Sequence, residues 1–366
     1  MQEYETRMLQ LSFDETETAL YELQKIEINK AVRADFSTAR KNAKGTKCFI
    51  CKKLCSSFCN SHSVPELFLK IIAQKGKVFL SGLQKEFPLL NDDLGLNQAG
   101  TFHIICRTCD SKYFQAYEKV EAYQSTPSAK LIAQIAMKNA LHQIATKKEE
   151  LETYKLFEQK RYPSHLYPYE NLNAIPADIS ESIEAFRYAK IAVEKNKDDR
   201  FNVFFYQKLE YVVPMAFQDN IAIICDFDGN TINNVYDFST SNKLQYIQIA
   251  VFPLKNCSVV IAFTDTRNKK YNSFISHFNS LSLEEQLSTI NYIIFSYSEN
   301  VFLSKTLEHT VLEDRNFLNC CQKTTNPIIQ QGKEDALDVA KRYFALSKRH
   351  EIPNLLSPKY ALQTEQ

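Results

Sequence analysis

Apolar side chains recur at helical spacing in two parts of the chain. Between residues 12 and 43 the apolar positions are Leu20, Leu23, Ile26, Ile28 and Val32. From Ser128 to Tyr162 they are Ile132, Ala136, Ala140 and Ile144, and Pro163 follows. Spacing of three to four residues predicts amphipathic helices, and proline ends the second one. Because the second half of that helix is charged, we expect it to project as a connector.

From about residue 166 the pattern changes to short apolar runs separated by turn residues. The runs are FNVFFYQKLEY (201–211), IAIICDF (221–227), YIQIAVFPL (246–254) and CSVVIAFT (257–264). Runs of this length, rich in β-branched and aromatic residues, predict strands. Ser282 and Glu285 form a capping box that predicts the start of a further helix. The predicted fold class is therefore α+β, with an antiparallel, β-rich second half.

Composition and cysteine content limit the compartment. The chain has 366 residues, of which 44% are hydrophobic and 24% charged, as in ordinary globular proteins. Its acidic start does not resemble a signal or transit peptide, and its apolar runs are too short to cross a bilayer. We therefore expect a cytoplasmic protein without a membrane partner. In a reducing compartment, paired cysteines indicate a metal more often than a disulfide.

Two CxxC motifs carry the strongest chemical signal. Cys48 and Cys51 form the first pair, and Cys106 and Cys109 form the second. Each tight turn places two thiolates on one side of the backbone, and two such turns complete the tetrahedral shell that zinc favours. We therefore predict one structural zinc ion bound by these four cysteines. Cys55 and Cys59 also lie near the first motif, and the sequence leaves open whether they replace a ligand or only pack.

A basic stretch precedes the first CxxC motif. Residues 30–53 contain eight lysines and arginines and one acid, although the net charge of the chain is only +1. This clustering predicts a phosphate-binding face. The residues predicted to bind nucleic acid are Arg40, Lys41, Lys44 and Lys47. The alternative is a solvated helix face followed by a lysine-rich loop.

The order of motifs over residues 46–120 resembles a known family. The motifs are CFIC, SHSVP, NQAGTF and CRTCDSKYFQAYE. This order is similar to that of HNH (His-Me finger) endonuclease domains that carry a four-cysteine zinc knuckle. In those domains the histidine ends the first strand of a ββα-metal unit, and the second CxxC opens the helix.

The resemblance implies roles for individual residues. His62 would be the general base that activates water, and Asn97 would orient the histidine loop. Asp110 and Glu118 would bind a catalytic Mg²⁺ or Mn²⁺ ion. Ser61 departs from the pattern, because the family usually has an acid or a histidine there as a metal ligand. The departure leaves open whether the site is active.

Two functions follow from these motifs. The first is a metal-dependent endonuclease that cleaves phosphodiester bonds of nucleic acid, which by analogy would suit a bacterial or phage conflict system. DNA is favoured over RNA as the partner, but the sequence leaves the choice between them open. The alternative is a non-catalytic, zinc-containing module that binds nucleic acid or protein. Ser61 favours the alternative, whereas His62, Asn97 and Asp110 favour the enzyme.

The motifs and the periodicity together predict the domain organisation. A protein partner or a second copy would bind through the C-terminal domain. The predicted segments are a helical N-terminal segment (1–45), a zinc-knuckle HNH-like module (46–127), a connector helix (128–165), a β-rich α+β domain (166–347) and a loose tail (348–366).

Overall fold

The computed structural model describes most of the chain. The described residues are 3–6, 30–31, 34–80, 94–160, 169–237, 239, 241–324, 328–331 and 334–363. The predicted apolar positions from Leu20 to Val32 lie outside these residues, and so does Pro163. The later part of the predicted N-terminal helix is present, since residues 34–44 are helical.

Helices and antiparallel strands make up the fold, which confirms the α+β class. The helices are α1 (34–44), α2 (Glu66–Ile72), α3 (Arg107–Phe114), α4 (Ala129–Gln159), α5 (Tyr169–Lys195), α6 (Asn272–Ser280), α7 (Leu283–Tyr297), α8 (His309–Leu312), α9 (Arg315–Cys321) and α10 (Ala336–Tyr343). The strands are β1 (Glu3–Thr6), β2 (Ser61–His62), β3 (Lys77–Leu80), β4 (Leu94–Gly95), β5 (Thr101–Phe102), β6 (Phe201–Leu209), β7 (Met215–Ile221), β8 (Ile247–Pro253), β9 (Ser258–Asp265), β10 (Val301–Leu303) and β11 (Ile328–Gln331).

A seven-stranded sheet forms the centre of the fold. Its strand order is β4-β3-β10-β7-β8-β9-β6, and every neighbouring pair is antiparallel. Strand β9 is buried over Ser258–Thr264, because the sheet is covered on both faces. Burial of both faces explains why its sequence is a continuous apolar run rather than an alternating one.

The two faces of the sheet contact different helices. Ile261 of β9 belongs to a buried cluster that includes Ile135 of α4. Its neighbour Val260 belongs to a second cluster that includes Ile293 of α7. This change from one residue to the next follows from the two-residue period of a strand. The structure therefore has three layers, with the sheet between two groups of helices.

The segment between the CxxC motifs contributes strands to this same sheet. In the β3–β10 pair, Phe79 lies opposite Leu303 and Leu80 lies opposite Phe302. Cys48 and Phe252 of β8 belong to one buried cluster. Residues of the regions 46–127 and 166–347, which the sequence predicted as separate segments, thus share a sheet and a core.

The long helix α4 packs against the sheet instead of projecting from it. Ser128 caps its N-terminus, because its hydroxyl accepts a hydrogen bond from the backbone N–H of Leu131 at 3.2 Å. Every residue from Leu131 to Leu141 is buried. The charged second half had suggested a connector, but the first half makes α4 part of the core.

The C-terminal residues also pack against the fold. Leu355 and Leu356 are fully buried, and the backbone N–H of Leu362 donates to the carbonyl of Val212 at 2.8 Å. The loose tail expected from residue 348 is therefore ordered at least to Leu362. None of the helices in the described ranges has the length and apolarity needed to span a bilayer.

Candidate metal centre and the adjoining histidine site

Four cysteine sulfurs meet at one point between the first CxxC turn and the start of α3. The Sγ atoms of Cys48, Cys51, Cys106 and Cys109 all lie within 4.8 Å of one another. The Cys51 and Cys106 sulfurs are 3.9 Å apart. In a tetrahedral site with metal–sulfur bonds of about 2.3 Å, the sulfurs are about 3.8 Å apart. The four thiols are therefore placed to hold one metal ion, consistent with a zinc knuckle.

Backbone hydrogen bonds hold the first CxxC in a tight turn. The N–H of Cys48 donates to the Lys53 carbonyl, and the N–H of Lys52 donates to the Cys48 carbonyl, each at 2.9 Å. Lys52 has a left-handed conformation with φ of 61°, which lets the chain reverse directly after Cys51. The N–H of Phe49 also donates to the Ile104 carbonyl at 2.8 Å, and this bond joins the two cysteine pairs.

The cysteines differ in how readily they ionise. Burial opposes ionisation of Cys48, but N–H groups of Cys51, Cys106 and Ile50 point at its sulfur and lower its pKa to about 7. Burial raises the pKa of Cys106 and of Cys109. A bound cation would supply the positive charge that keeps these two thiols ionised.

The two additional cysteines lie outside the four-sulfur cluster. The Cys55 thiol donates to the Lys53 carbonyl at 3.5 Å. Burial, together with the charge of Asp110, raises the pKa of the Cys59 thiol to about 11. Among the described cysteines, the sulfurs that meet within ligand distance are those of the two CxxC pairs, and Cys55 and Cys59 are not among them.

A small ββα unit adjoins the metal centre. Strands β2 and β5 pair antiparallel, with Ser61 opposite Phe102 and His62 opposite Thr101, and α3 follows. The loop before β5 approaches β2 closely at Gly100, whose φ is +62°. A Cβ atom at Gly100 would lie 2.3 Å from Ser63 Oγ, so only glycine fits there. Along the chain, α2, β3 and β4 lie between the two paired strands.

His62 lies at the end of β2 and is partly buried. Its Nε2 atom is 3.0 Å from the carbonyl oxygen of Leu96. Because a carbonyl only accepts hydrogen bonds, Nε2 carries the proton, and in the neutral ring Nδ1 carries the basic lone pair. The histidine is thus fixed in one tautomer.

Asn97 lies in the exposed turn next to Leu96. Its carbonyl accepts a hydrogen bond from the side-chain amide of Asn60 at 2.8 Å. This bond connects the turn to the start of β2, so the contact between Asn97 and the histidine strand is made by the main chain. The side chain of Asn60, which the sequence motif did not single out, supplies the donor.

The side chain of Lys138 occupies the place where the resemblance put a catalytic metal. Its Nζ atom lies 3.1 Å from an oxygen of Asp110 and 3.3 Å from an oxygen of Glu118. It also donates to Ser61 Oγ at 2.8 Å, and Lys138 is fully buried. The two carboxylates predicted to bind Mg²⁺ or Mn²⁺ share an ammonium group instead, so the residues present do not fit a divalent ion.

The two carboxylates respond differently to this lysine. Burial of Asp110 opposes ionisation, but the Lys138 charge and the Ser61 hydroxyl, 2.6 Å away, lower its pKa. Burial raises the pKa of Glu118, and the nearby charge of Asp110 adds to the increase despite Lys138. Asp110 is therefore the ionised partner of the ammonium, and Glu118 is the carboxylate that is protonated more easily.

A basic surface borders the metal centre on the side of α1 and the first knuckle. Arg40, Lys41 and Lys47 are exposed and Lys44 is partly exposed. Burial, Lys44 and Arg40 together lower the pKa of His103, which shows that these charges lie near β5. Arg40 and Lys44 therefore lie close to the ββα unit, and Arg40 forms an ion pair with Glu149 at 3.4 Å. Lys41 follows Arg40 in α1, and Lys47 directly precedes Cys48.

Two lysines extend this surface around an aromatic ring. The Nζ atom of Lys52 is 4.2 Å from the centre of the Phe49 ring, and that of Lys148 is 5.4 Å away. Burial and the charge of Lys52 lower the pKa of Lys148. Lys148 comes from α4, so its approach to the knuckle was not evident from local sequence.

The residue that sequence analysis missed is Lys138, which contacts Ser61 of β2 and Asp110 of α3. We call this group of side chains the ββα centre. Lys138 is the lysine within the apolar run LIAQIAMKNALHQIA, where a charged side chain requires a buried partner. That position was a usable signal. Its partners could not be predicted from the sequence, because only the fold brings Ser61 and Asp110 to Lys138.

Comparison with protein-family models, with curated proteins and with solved structures finds no match to this chain. The resemblance to HNH domains therefore depends on the order of the sequence motifs alone.

Proposed function

We propose that the four cysteines bind one zinc ion and that the module they stabilise binds nucleic acid through the adjoining basic surface. The observation that carries this proposal is the position of the basic residues from three segments, α1, the first knuckle and α4, beside one metal centre. Four thiolates form a closed shell of the kind that structural zinc occupies. Clustered lysine and arginine side chains supply the sequence-independent attraction to phosphates.

The Lys138 network favours a binding function over divalent-metal catalysis. Asp110 was one of three residues that supported an enzyme, and its carboxylate is engaged by Ser61 and Lys138. Since Ser61 is also a poorer metal ligand than an acid or a histidine, the residues around the centre are better suited to stabilising the module. The phosphates of the bound nucleic acid are therefore expected to contact the exposed lysines and arginines and not the buried ammonium of Lys138.

Neutralising the basic surface is expected to weaken binding to a labelled 20-base-pair DNA duplex. The variant combines Arg40→Gln, Lys41→Gln, Lys44→Gln and Lys47→Gln. Its affinity should fall by more than about tenfold at 0.15 M salt, because each lost phosphate contact removes counterion release. The slope of log K against log salt should become shallower by up to about 3.6, which is about 0.9 for each of four contacts. Fluorescence anisotropy at several salt concentrations measures both quantities.

A matched control removes the same charge from other surfaces. It combines Lys208→Gln, Lys255→Gln, Lys269→Gln and Lys359→Gln, all at exposed positions. The control should keep the wild-type slope. Equal weakening in both variants would show that net charge alone drives binding, and an unchanged slope in the first variant would contradict the proposal. An RNA duplex of the same sequence tests the preference for DNA.

A second candidate function is phosphodiester cleavage with His62 as the general base. The observation that favours it is the hydrogen bond from Nε2 to the Leu96 carbonyl, which leaves Nδ1 as the basic nitrogen. Cleavage also needs a cation or a hydrogen-bond donor that stabilises the leaving group. The cation that the ββα unit holds is the Lys138 ammonium, which is buried.

If cleavage occurs, His62→Ala is expected to reduce it by about a hundredfold or more while zinc content and DNA affinity stay unchanged. A plasmid-nicking assay with and without Mg²⁺ or Mn²⁺ measures the rate, and His309→Ala, at an exposed histidine of α8, is the control. A wild-type protein that is inert on DNA and RNA rules out this second candidate and leaves the binding proposal in place.

A further inference from the structure

Lys138 makes a complete set of contacts at the ββα centre. An ammonium group has three N–H donors. The acceptors are Ser61 Oγ at 2.8 Å, Asp110 Oδ1 at 3.1 Å and Glu118 Oε1 at 3.3 Å. The Phe114 ring lies 4.0 Å from Nζ and covers the ammonium on another side. A fully buried charge is tolerated only with such partners.

These acceptors are the groups that a divalent ion would use. Carboxylate oxygens are the preferred protein ligands of Mg²⁺ and Mn²⁺, and the hydroxyl of Ser61 is a weaker oxygen ligand. Mg²⁺ also keeps several water molecules in its shell. Here Phe114 packs against the cation, and its carboxylate partners expose only 16% and 33% of their side chains. A covalently attached cation of one charge suits this environment better than a hydrated ion of two charges.

We infer that the Lys138 ammonium is a built-in replacement for the divalent cation of the ββα centre. The wild-type module accordingly takes no Mg²⁺ or Mn²⁺ at Asp110 and Glu118. Removing the ammonium converts the same two carboxylates into a site for a hard divalent cation. This inference does not rest on nucleic-acid binding, because it concerns charge balance inside the module.

Mn²⁺ binding to the zinc-loaded full chain tests the inference. Electron paramagnetic resonance of free Mn²⁺ gives the number of ions bound to wild type, to Lys138→Ala and to Lys138→Ala combined with Asp110→Asn. We expect Lys138→Ala to bind about one Mn²⁺ more per chain than wild type, and to gain thermal stability when Mn²⁺ is added. The double variant should lose this ion, since one of its two carboxylates is gone.

Two results would overturn the inference. One is a Mn²⁺ ion bound to the wild-type protein that disappears in Asp110→Asn while zinc content is unchanged. The other is a folded, zinc-loaded Lys138→Ala that binds no additional Mn²⁺. If Lys138→Ala does not fold, the inference is tested by comparing wild type with Asp110→Asn. Equal Mn²⁺ binding by these two proteins supports the inference, because it shows that Asp110 holds no divalent ion in the wild type. Failure of DNA binding would leave these results unchanged.

Discussion

Replacing Cys48 with serine is expected to abolish metal binding and to prevent the chain from folding stably. Cys48 is fully buried within the core cluster that also contains Phe252 of β8 and Ile135 of α4. Structural zinc contributes about 10–16 kcal/mol in small zinc-binding peptides, whereas whole domains are stable by about 5–15 kcal/mol. Loss of one ligand should therefore remove most of the stability. Zinc content and thermal denaturation followed by circular dichroism measure the effect.

The matched control is Cys55→Ser, because Cys55 lies near the same knuckle and outside the four-sulfur cluster. It should retain zinc and lower the melting temperature only slightly. Since both halves share one sheet and one core, we expect a single transition in which both are lost. An intact β-rich half in Cys48→Ser would show that the cores are separate after all.

Replacing Lys138 with methionine is expected to destabilise the protein by about 3–5 kcal/mol, the usual result of breaking a buried ion pair at one partner. Methionine fills a similar volume but leaves the Asp110 carboxylate with the Ser61 hydroxyl and without its ammonium partner. Urea denaturation measures the change in the free energy of unfolding. Adding Asp110→Asn to this variant should recover part of the loss, because the isolated charge is then removed.

Lys130→Met is the control on the same helix. Lys130 is exposed in the first turn of α4, where substitutions usually change stability by no more than about 0.5 kcal/mol. If Lys138→Met were as stable as this control, the buried network would not hold the centre together. If Asp110→Asn made Lys138→Met less stable, the two side chains would not act as a pair.

The features predicted correctly from sequence are those encoded locally. Each CxxC turn is a short-range pattern, and the capping residues Ser128 and Ser282 mark the starts of α4 and α7 in the structure. The predicted runs 201–211 and 246–254 contain strands β6 and β8, and the run 257–264 covers β9 except for its last residue, Asp265. In each case the residues that determine the element are close in sequence.

One predicted strand lies elsewhere for a physical reason. The strand predicted at 221–227 (IAIICDF) is a buried loop after Ile221. Strand β7 precedes this loop, at Met215–Ile221. The N–H of Ile223 donates to the hydroxyl of Tyr271 at 3.0 Å, and the N–H of Ile224 donates to that of Tyr297 at 3.2 Å. Tyrosine hydroxyls thus satisfy backbone groups that an apolar run normally pairs in a sheet.

The arrangement of the candidate site depended on long-range contacts that no local pattern contains. Strand β3 pairs with β10, which lies more than two hundred residues later. Lys138 meets Ser61 and Asp110 only because α4 packs against the ββα unit. The resemblance assigned Asp110 and Glu118 to a divalent ion, whereas the fold places both carboxylates beside the Lys138 ammonium.

Metal analysis of the purified wild-type chain tests the central claim most directly. Elemental analysis by plasma mass spectrometry, normalised to protein concentration, should find about one zinc ion per chain, because the four thiolates form a closed structural site. The zinc should be lost in Cys48→Ser and in Cys106→Ser and kept in Cys55→Ser. A folded wild-type protein that contains no zinc, and that is no more stable when zinc is added, would contradict the account.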